Sequence, residues 1–257
     1  MCFDPDAHPP IAPIAGGALE SGRIELTARD GNRFAAFGAR AAAPTGAGMI
    51  VLPDVRGLFG YYEELALRFA EHGIDAVAID YFGRTAGLGA RDAGFDHMAH
   101  VERTTFAGLS ADVEAAADHL RSAEGGAVRS LFTVGFCFGG RMSFLSATLG
   151  LGLAGVVGFY GWPVGASRND TPAPADVARE CACPVLAIFG GADRGIPPEA
   201  IATFRTALTE AGVPKRIVTY EDAPHSFFDR KHEEYVAESA GAWEEVLGFV
   251  RSHTAAA

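Results

Sequence analysis

From Gly48 onward the chain alternates short apolar runs with longer amphipathic stretches, and this alternation limits its fold more than any other feature. The apolar runs fall at 49–52, 74–79, 131–135, 155–159, 184–189 and 216–220. Between them, apolar residues recur at helical spacing over 61–72, 106–121, 140–149, 198–211 and 235–252. Runs as continuous as Val185-Leu186-Ala187-Ile188-Phe189 call for burial on two faces, which a parallel sheet obtains when helices cover both of its sides. Upstream, 23–28 and 33–38 alternate in polarity around Asp30-Gly31-Asn32, a hairpin signal, so an antiparallel start is expected. The pattern predicts one α/β domain over 23–257, mostly parallel in its central sheet, after a Pro-, Ala- and Gly-rich arm at 1–22.

With 257 residues, 49% of them hydrophobic, the chain has enough apolar material for one large core. Thirty-two acidic against 21 basic residues give a formal charge of −11, which repels phosphate backbones and anionic lipid surfaces. Nucleic acid and membrane are therefore not expected as partners. Met1-Cys2-Phe3-Asp4-Pro5-Asp6 lacks the basic and apolar regions of a secretion signal, and no apolar run approaches the roughly 20 residues that span a bilayer. Four cysteines without framework spacing fit a reducing, cytoplasmic setting. Cys181-Ala182-Cys183 has no second Cys/His pair at matching spacing, so it reads as structural; neither a metal nor a cofactor is expected.

The ligand crevice of such a sheet lies at the carboxyl ends of its strands, so chemistry should reside just past them. Gly135-Phe136-Cys137-Phe138-Gly139-Gly140 occupies such a place, between the run ending at Val134 and a helical stretch. Small residues there let the backbone turn sharply and lift Cys137 to a helix N-terminus, where unpaired N–H groups and the helix dipole favour a thiolate. Asp193 follows 185–189, and His225 follows 217–220. The order nucleophile, acid, histidine is that of α/β-hydrolases, with His225 as base for Cys137 and Asp193 holding the imidazole tautomer. Two N–H groups are expected to form the oxyanion hole, that of Phe138 and that of Val55 in the loop after 49–52.

These features resemble the dienelactone hydrolase family of α/β-hydrolases over about residues 23–250. The similarity rests on the G-x-C-x-G-G turn, Ala78-Ile79-Asp80-Tyr81-Phe82-Gly83-Arg84, Phe159-Tyr160-Gly161, Gly190-Gly191-Ala192-Asp193 and His225-Ser226-Phe227-Phe228. It implies the α/β-hydrolase fold and metal-free hydrolysis of an ester or lactone through an acyl-thioenzyme. It also implies a carboxylate near the resting thiol, normally Glu; the matching residue is Asp54, one methylene shorter, whose charge would disfavour the thiolate. Members that act on dienelactone hold its carboxylate with arginine, for which Arg56, Arg84, Arg103 and Arg230 are candidates, Arg56 and Arg230 foremost. Tyr160, Trp162 and Phe227 are expected to contact the substrate, and Phe138 to line the same pocket.

The expected partner is thus a small ester or lactone, anionic where an arginine meets it, and the chain is expected to be a monomer or a homodimer. A short-chain carboxylester or thioester uses the same chemistry. Two rivals differ in class: a non-catalytic binding protein on the same fold, and a glutamine amidotransferase whose histidine would be His232 of His232-Glu233-Glu234. The charged run around His232 reads instead as a solvated segment.

Overall fold

A computed structural model of the chain describes residues 7–91, 94–229 and 231–255. Its framework is an eight-stranded sheet: β1 (Ala18–Thr27), β2 (Arg33–Ala41), β3 (Ala47–Leu52), β4 (Ile74–Ile79), β5 (Ser130–Phe136), β6 (Gly155–Phe159), β7 (Val185–Gly190) and β8 (Lys215–Tyr220). Their spatial order is β1-β2-β4-β3-β5-β6-β7-β8. The β1–β2 and β2–β4 pairs are antiparallel, and every later pair is parallel. Every residue of β3 to β7 is buried, as their continuous apolar sequences require, whereas the edge strands β1 and β8 stay partly exposed.

The principal helices are α1 (Gly60–Glu71), α4 (Phe106–Arg121), α5 (Phe138–Ser146), α6 (Pro198–Glu210) and α7 (Val236–His253); α2 (Gly83–Ala86) and α3 (His97–Val101) are single turns. Successive residues of a strand face opposite sides of the sheet, and β5 shows which helices lie where. Phe132 meets Phe249 of α7, while Thr133 shares a 2.7 Å hydrogen bond with Ser143 of α5. Hence α5 and α7 cover opposite faces. Phe69 of α1 packs on Trp243 of α7, and Phe144 of α5 on Phe204 of α6, which pairs these helices face by face. None of the helices among the described residues is long and apolar enough to cross a membrane.

The arm ends earlier than the sequence suggests. Residues 18–22 belong to β1 and pair with β2, Ala18 opposite Ala41 and Glu20 opposite Arg40. Before them, the Ile14 N–H donates to Glu71 at 3.0 Å, which ties the arm to the end of α1.

Candidate active site

Because β3 and β5 to β8 run parallel and side by side, the loops that leave their carboxyl ends share one rim of the sheet. Cys137 sits between β5 and α5 with φ 55° and ψ −110°, a conformation L side chains rarely adopt. Its N–H donates to the Phe159 carbonyl at 3.0 Å, fixing the turn to β6, and the Arg141 N–H donates to the Cys137 carbonyl at 3.1 Å, starting α5. Gly139 lets α5 approach β3: a Cβ there would collide with the carbonyls of Leu52 and Pro53. The helix N-terminus is thereby pressed against the loop that carries Val55. Among the described residues, neither the Phe138 nor the Val55 N–H donates to a backbone carbonyl outside the helices and strands.

His225 and Asp193 meet across the loops after β8 and β7. His225 Nδ1 lies 2.6 Å from Asp193 Oδ2, and the carboxylate is buried while the imidazole side chain is 35% exposed. Asp193 Oδ1 accepts the Gly195 N–H at 2.8 Å, so both carboxylate oxygens are used and the group cannot rotate freely. A carboxylate only accepts, which places the imidazole proton on Nδ1 and makes Nε2 the unprotonated nitrogen of the neutral ring. Cys137, Phe138, Val55, Trp162 and His225 are each half-buried, open enough to touch a ligand.

Asp54 is fully buried, with Oδ1 accepting the Arg56 N–H at 2.9 Å and its own N–H bonded to the Tyr62 hydroxyl at 3.0 Å. Arg56 is buried as well, its guanidinium 4.9 Å over the Phe59 ring and its Nε 3.8 Å from Asp54 Oδ2. Beside them, Tyr81 donates to the Pro53 carbonyl at 2.9 Å and packs edge-on against Phe138. Burial pushes the Tyr81 hydroxyl well above its ordinary range, and the charges of Asp54 and Asp80 push it further, so it stays a donor.

Two expectations about substrate contact need correction. Tyr160 and Phe227 are 1% and 0% exposed; the Tyr160 ring lies 4.8 Å from the His225 ring and 5.9 Å from that of Phe227. They support the histidine loop instead of lining an open pocket, because the end of β6 and the loop after β8 close over both rings. Arg84 is committed elsewhere, to Asp112 and Asp30 at 2.6 Å each. Arg230 lies outside the described residues.

Three contributors escaped sequence reasoning. Asp80, at the end of β4, accepts N–H groups of Leu58 and Phe82 at 3.2 and 2.9 Å and pairs with buried Arg91 at 2.8 Å. Gly57, at φ 80°, leaves room for it: a Cβ would stand 2.5 Å from Asp80 Oδ1. Arg141, 4% exposed, donates to five carbonyls, those of Trp162, Val164, Gly165, Thr171 and Pro172, at 2.8 to 3.5 Å. Asp229, fully buried, accepts the Tyr160 hydroxyl at 2.7 Å. The only sequence signal for Asp229 is an acid placed directly after two aromatics in a post-strand loop.

Comparison with known proteins identifies the family and the fold. The model of the dienelactone hydrolase family matches residues 34–254. A Salmonella typhimurium (strain LT2) protein named carboxymethylenebutenolidase is 32% identical over 262 residues, covering 95% of this chain and 93% of that protein. A crystal structure described as a dienelactone hydrolase, from Klebsiella pneumoniae, is 27% identical, with a TM-score of 0.78 over 90% of this chain and 99% of its own. At 21% identity and a TM-score of 0.72, a dienelactone hydrolase-like phosphotriesterase from metagenomic libraries shares the fold over 91% of this chain and 99% of its own. The chain belongs to the dienelactone hydrolase family, a family of carboxylic ester hydrolases on the α/β-hydrolase fold.

Proposed function

We propose that the protein hydrolyses an ester or lactone through an acyl-thioenzyme, with Cys137 as nucleophile, His225 as base and then acid, and Asp193 as its orienter. The observation that carries this reading is the 2.6 Å Asp193–His225 bond on the rim where the strained turn presents Cys137. His225 Nε2 accepts the thiol proton as sulfur attacks the acyl carbon. The oxyanion is held by the N–H groups of Phe138 and Val55. Collapse breaks the C–O bond, the alkoxide takes the proton from His225, and a thioester remains. Water, deprotonated by the same imidazole, attacks the thioester; the acid departs and the proton returns to the sulfur. Asp54 modulates the resting thiol, its negative charge opposing the thiolate until substrate arrives. A thiol nucleophile of this kind suits a reducing cytoplasm.

For the acyl group, the Salmonella relative's name points to an anionic lactone, with Arg56 and Arg230 as its carboxylate partners and Trp162 as an apolar wall. The buried state of Arg56 and the commitment of Arg84 favour a second reading, a neutral short-chain ester. A panel comparing a dienelactone with p-nitrophenyl esters of increasing chain length separates the two by kcat/KM.

The mechanism itself is tested on the thiols. Burial pushes Cys181 and Cys183 up to about 11 and about 12, so their thiolates are scarce near neutrality. In a Cys2→Ser background iodoacetamide should label one site quickly, and blocking it should abolish turnover, as should Cys137→Ala. Hydrolysis that persists in Cys137→Ala removes the mechanism. Equal, slow labelling of all thiols would instead favour a binding protein.

A further inference from the structure

Beyond His225 the chain runs through Ser226, at φ 63°, into a short segment held from three separate elements. Ser239 of α7 donates to the Phe227 carbonyl at 3.1 Å, and Tyr61 of α1 to the Phe228 carbonyl at 3.2 Å. Tyr160, just past β6, donates to Asp229 Oδ2 at 2.7 Å. Tyr160 also packs on the imidazole, its ring 4.8 Å from that of His225. Tyr160 itself is held at φ 37°, and its N–H is fixed to the Ile188 carbonyl at 2.8 Å. Non-glycine residues at positive φ persist only where the surroundings over-determine them, and two such residues here flank one imidazole.

We infer that Tyr160 and Asp229 form a buried clamp that sets where His225 stands, which makes both of them positioning residues for the proposed acyl transfer. The hydroxyl pins the loop after β8 to the end of β6, and the same ring walls one side of the imidazole. Asp193 fixes the tautomer and one edge of the ring, while the clamp fixes the loop from which the ring projects. Burial, then the charge of Asp229, raises the Tyr160 hydroxyl well above its ordinary range, so it remains protonated and the bond persists over the working pH. A clamp of this type acts on geometry: the base stays ionisable, but its Nε2 wanders relative to the sulfur once the hydroxyl is lost.

The inference rests on the catalytic reading above, and the experiment keeps the two apart by pairing kinetics with a spectroscopic signal that needs no turnover. The Nδ1–H proton of a histidine bonded to a carboxylate resonates far downfield, and its disappearance in His225→Gln assigns it. In Tyr160→Phe that resonance should broaden or vanish. The same variant should lose about 10- to 100-fold in kcat per titrated thiol with KM moved less than about threefold, a split that simple loss of folded protein would not give. Should Tyr160→Phe fail to fold, Asp229→Asn, which keeps an acceptor for the hydroxyl but loses its charge, should show the same broadening and about a threefold fall in kcat. An unchanged resonance with unchanged kcat per thiol overturns the clamp. If Cys137→Ala hydrolyses like wild type, the catalytic reading fails, and the resonance alone then decides the clamp.

Discussion

At Cys137 the backbone stores strain that a glycine would release. Residues held in sparsely populated φ/ψ regions cost about 1–3 kcal/mol, and at φ 55°, ψ −110° the cost falls on the Cβ. Cys137→Gly and Cys137→Ala should both be inactive, yet the glycine variant should be more stable than the alanine variant by about 1 kcal/mol in urea unfolding. Equal midpoints would mean that the turn is unstrained. Asp193 offers a second contrast. Its Oδ1 is held by the Gly195 N–H, so in Asp193→Asn the amide oxygen keeps that bond and the NH₂ group faces His225. A donor there drives the imidazole proton to Nε2, the nitrogen that accepts from sulfur in the proposed mechanism. The expected loss is about four orders of magnitude in kcat with the unfolding curve nearly unchanged; a loss below tenfold would show that the tautomer is set elsewhere.

Among the elements, α5 is the hub of the rim. Gly139 brings its first turn against the loop after β3, and Arg141 reaches across to gather the loop after β6. Burial lowers the Arg141 guanidinium to about 10, with Asp176 partly offsetting the shift. A lysine has three donors on one point and cannot span five carbonyls. Arg141→Lys should therefore cost about 3 kcal/mol and alter selectivity among acyl chains through Trp162, measured by unfolding and by kcat/KM across the ester panel. Periodicity located the strands and principal helices because burial on two faces writes itself into unbroken apolar runs. It missed residues 18–22 of β1, where the edge position leaves Leu19, Glu20 and Ser21 all exposed and no alternation of polarity develops, and the single turns α2 and α3, too short to show a period. The meeting of Asp193 with His225 was legible because each lies a few residues behind a strand of the parallel sheet, and the turn at Cys137 because glycines surround it between β5 and α5. Tyr160 and Phe227 were not, since an aromatic reads alike in a pocket and in a core. The bond from Tyr160 to Asp229 spans 69 positions and has no signature before the strands are ordered.

Across the whole molecule, one charged network ties the first hairpin to the body. Arg84 of α2 joins Asp112 of α4 to Asp30 in the β1–β2 turn, and Asn32 of that turn donates to Asp112 at 3.0 Å. Burial raises Asp112 to about 6, with its Arg84 contacts acting in the opposite direction. A carboxyl raised in the folded state favours folding in its protonated form. Its contribution is fully present below the ordinary carboxylate range, diminishes as pH rises, and is gone once pH has passed about 6. His72 and His119 carry the opposite sign: burial lowers both, so the stability they lend is complete above about 6.5 and fades as pH falls. The net charge of −11 adds self-repulsion at high pH. A difference measurement isolates Asp112 from these other groups. Between pH 4 and pH 7 wild type should lose stability relative to Asp112→Asn by about 2–3 kcal/mol, read from urea unfolding at each pH, and the two curves should run parallel above pH 7. Parallel curves over the entire range would mean that Arg84 fully compensates the burial of this carboxyl, and that the hairpin is held by an ion pair indifferent to acid.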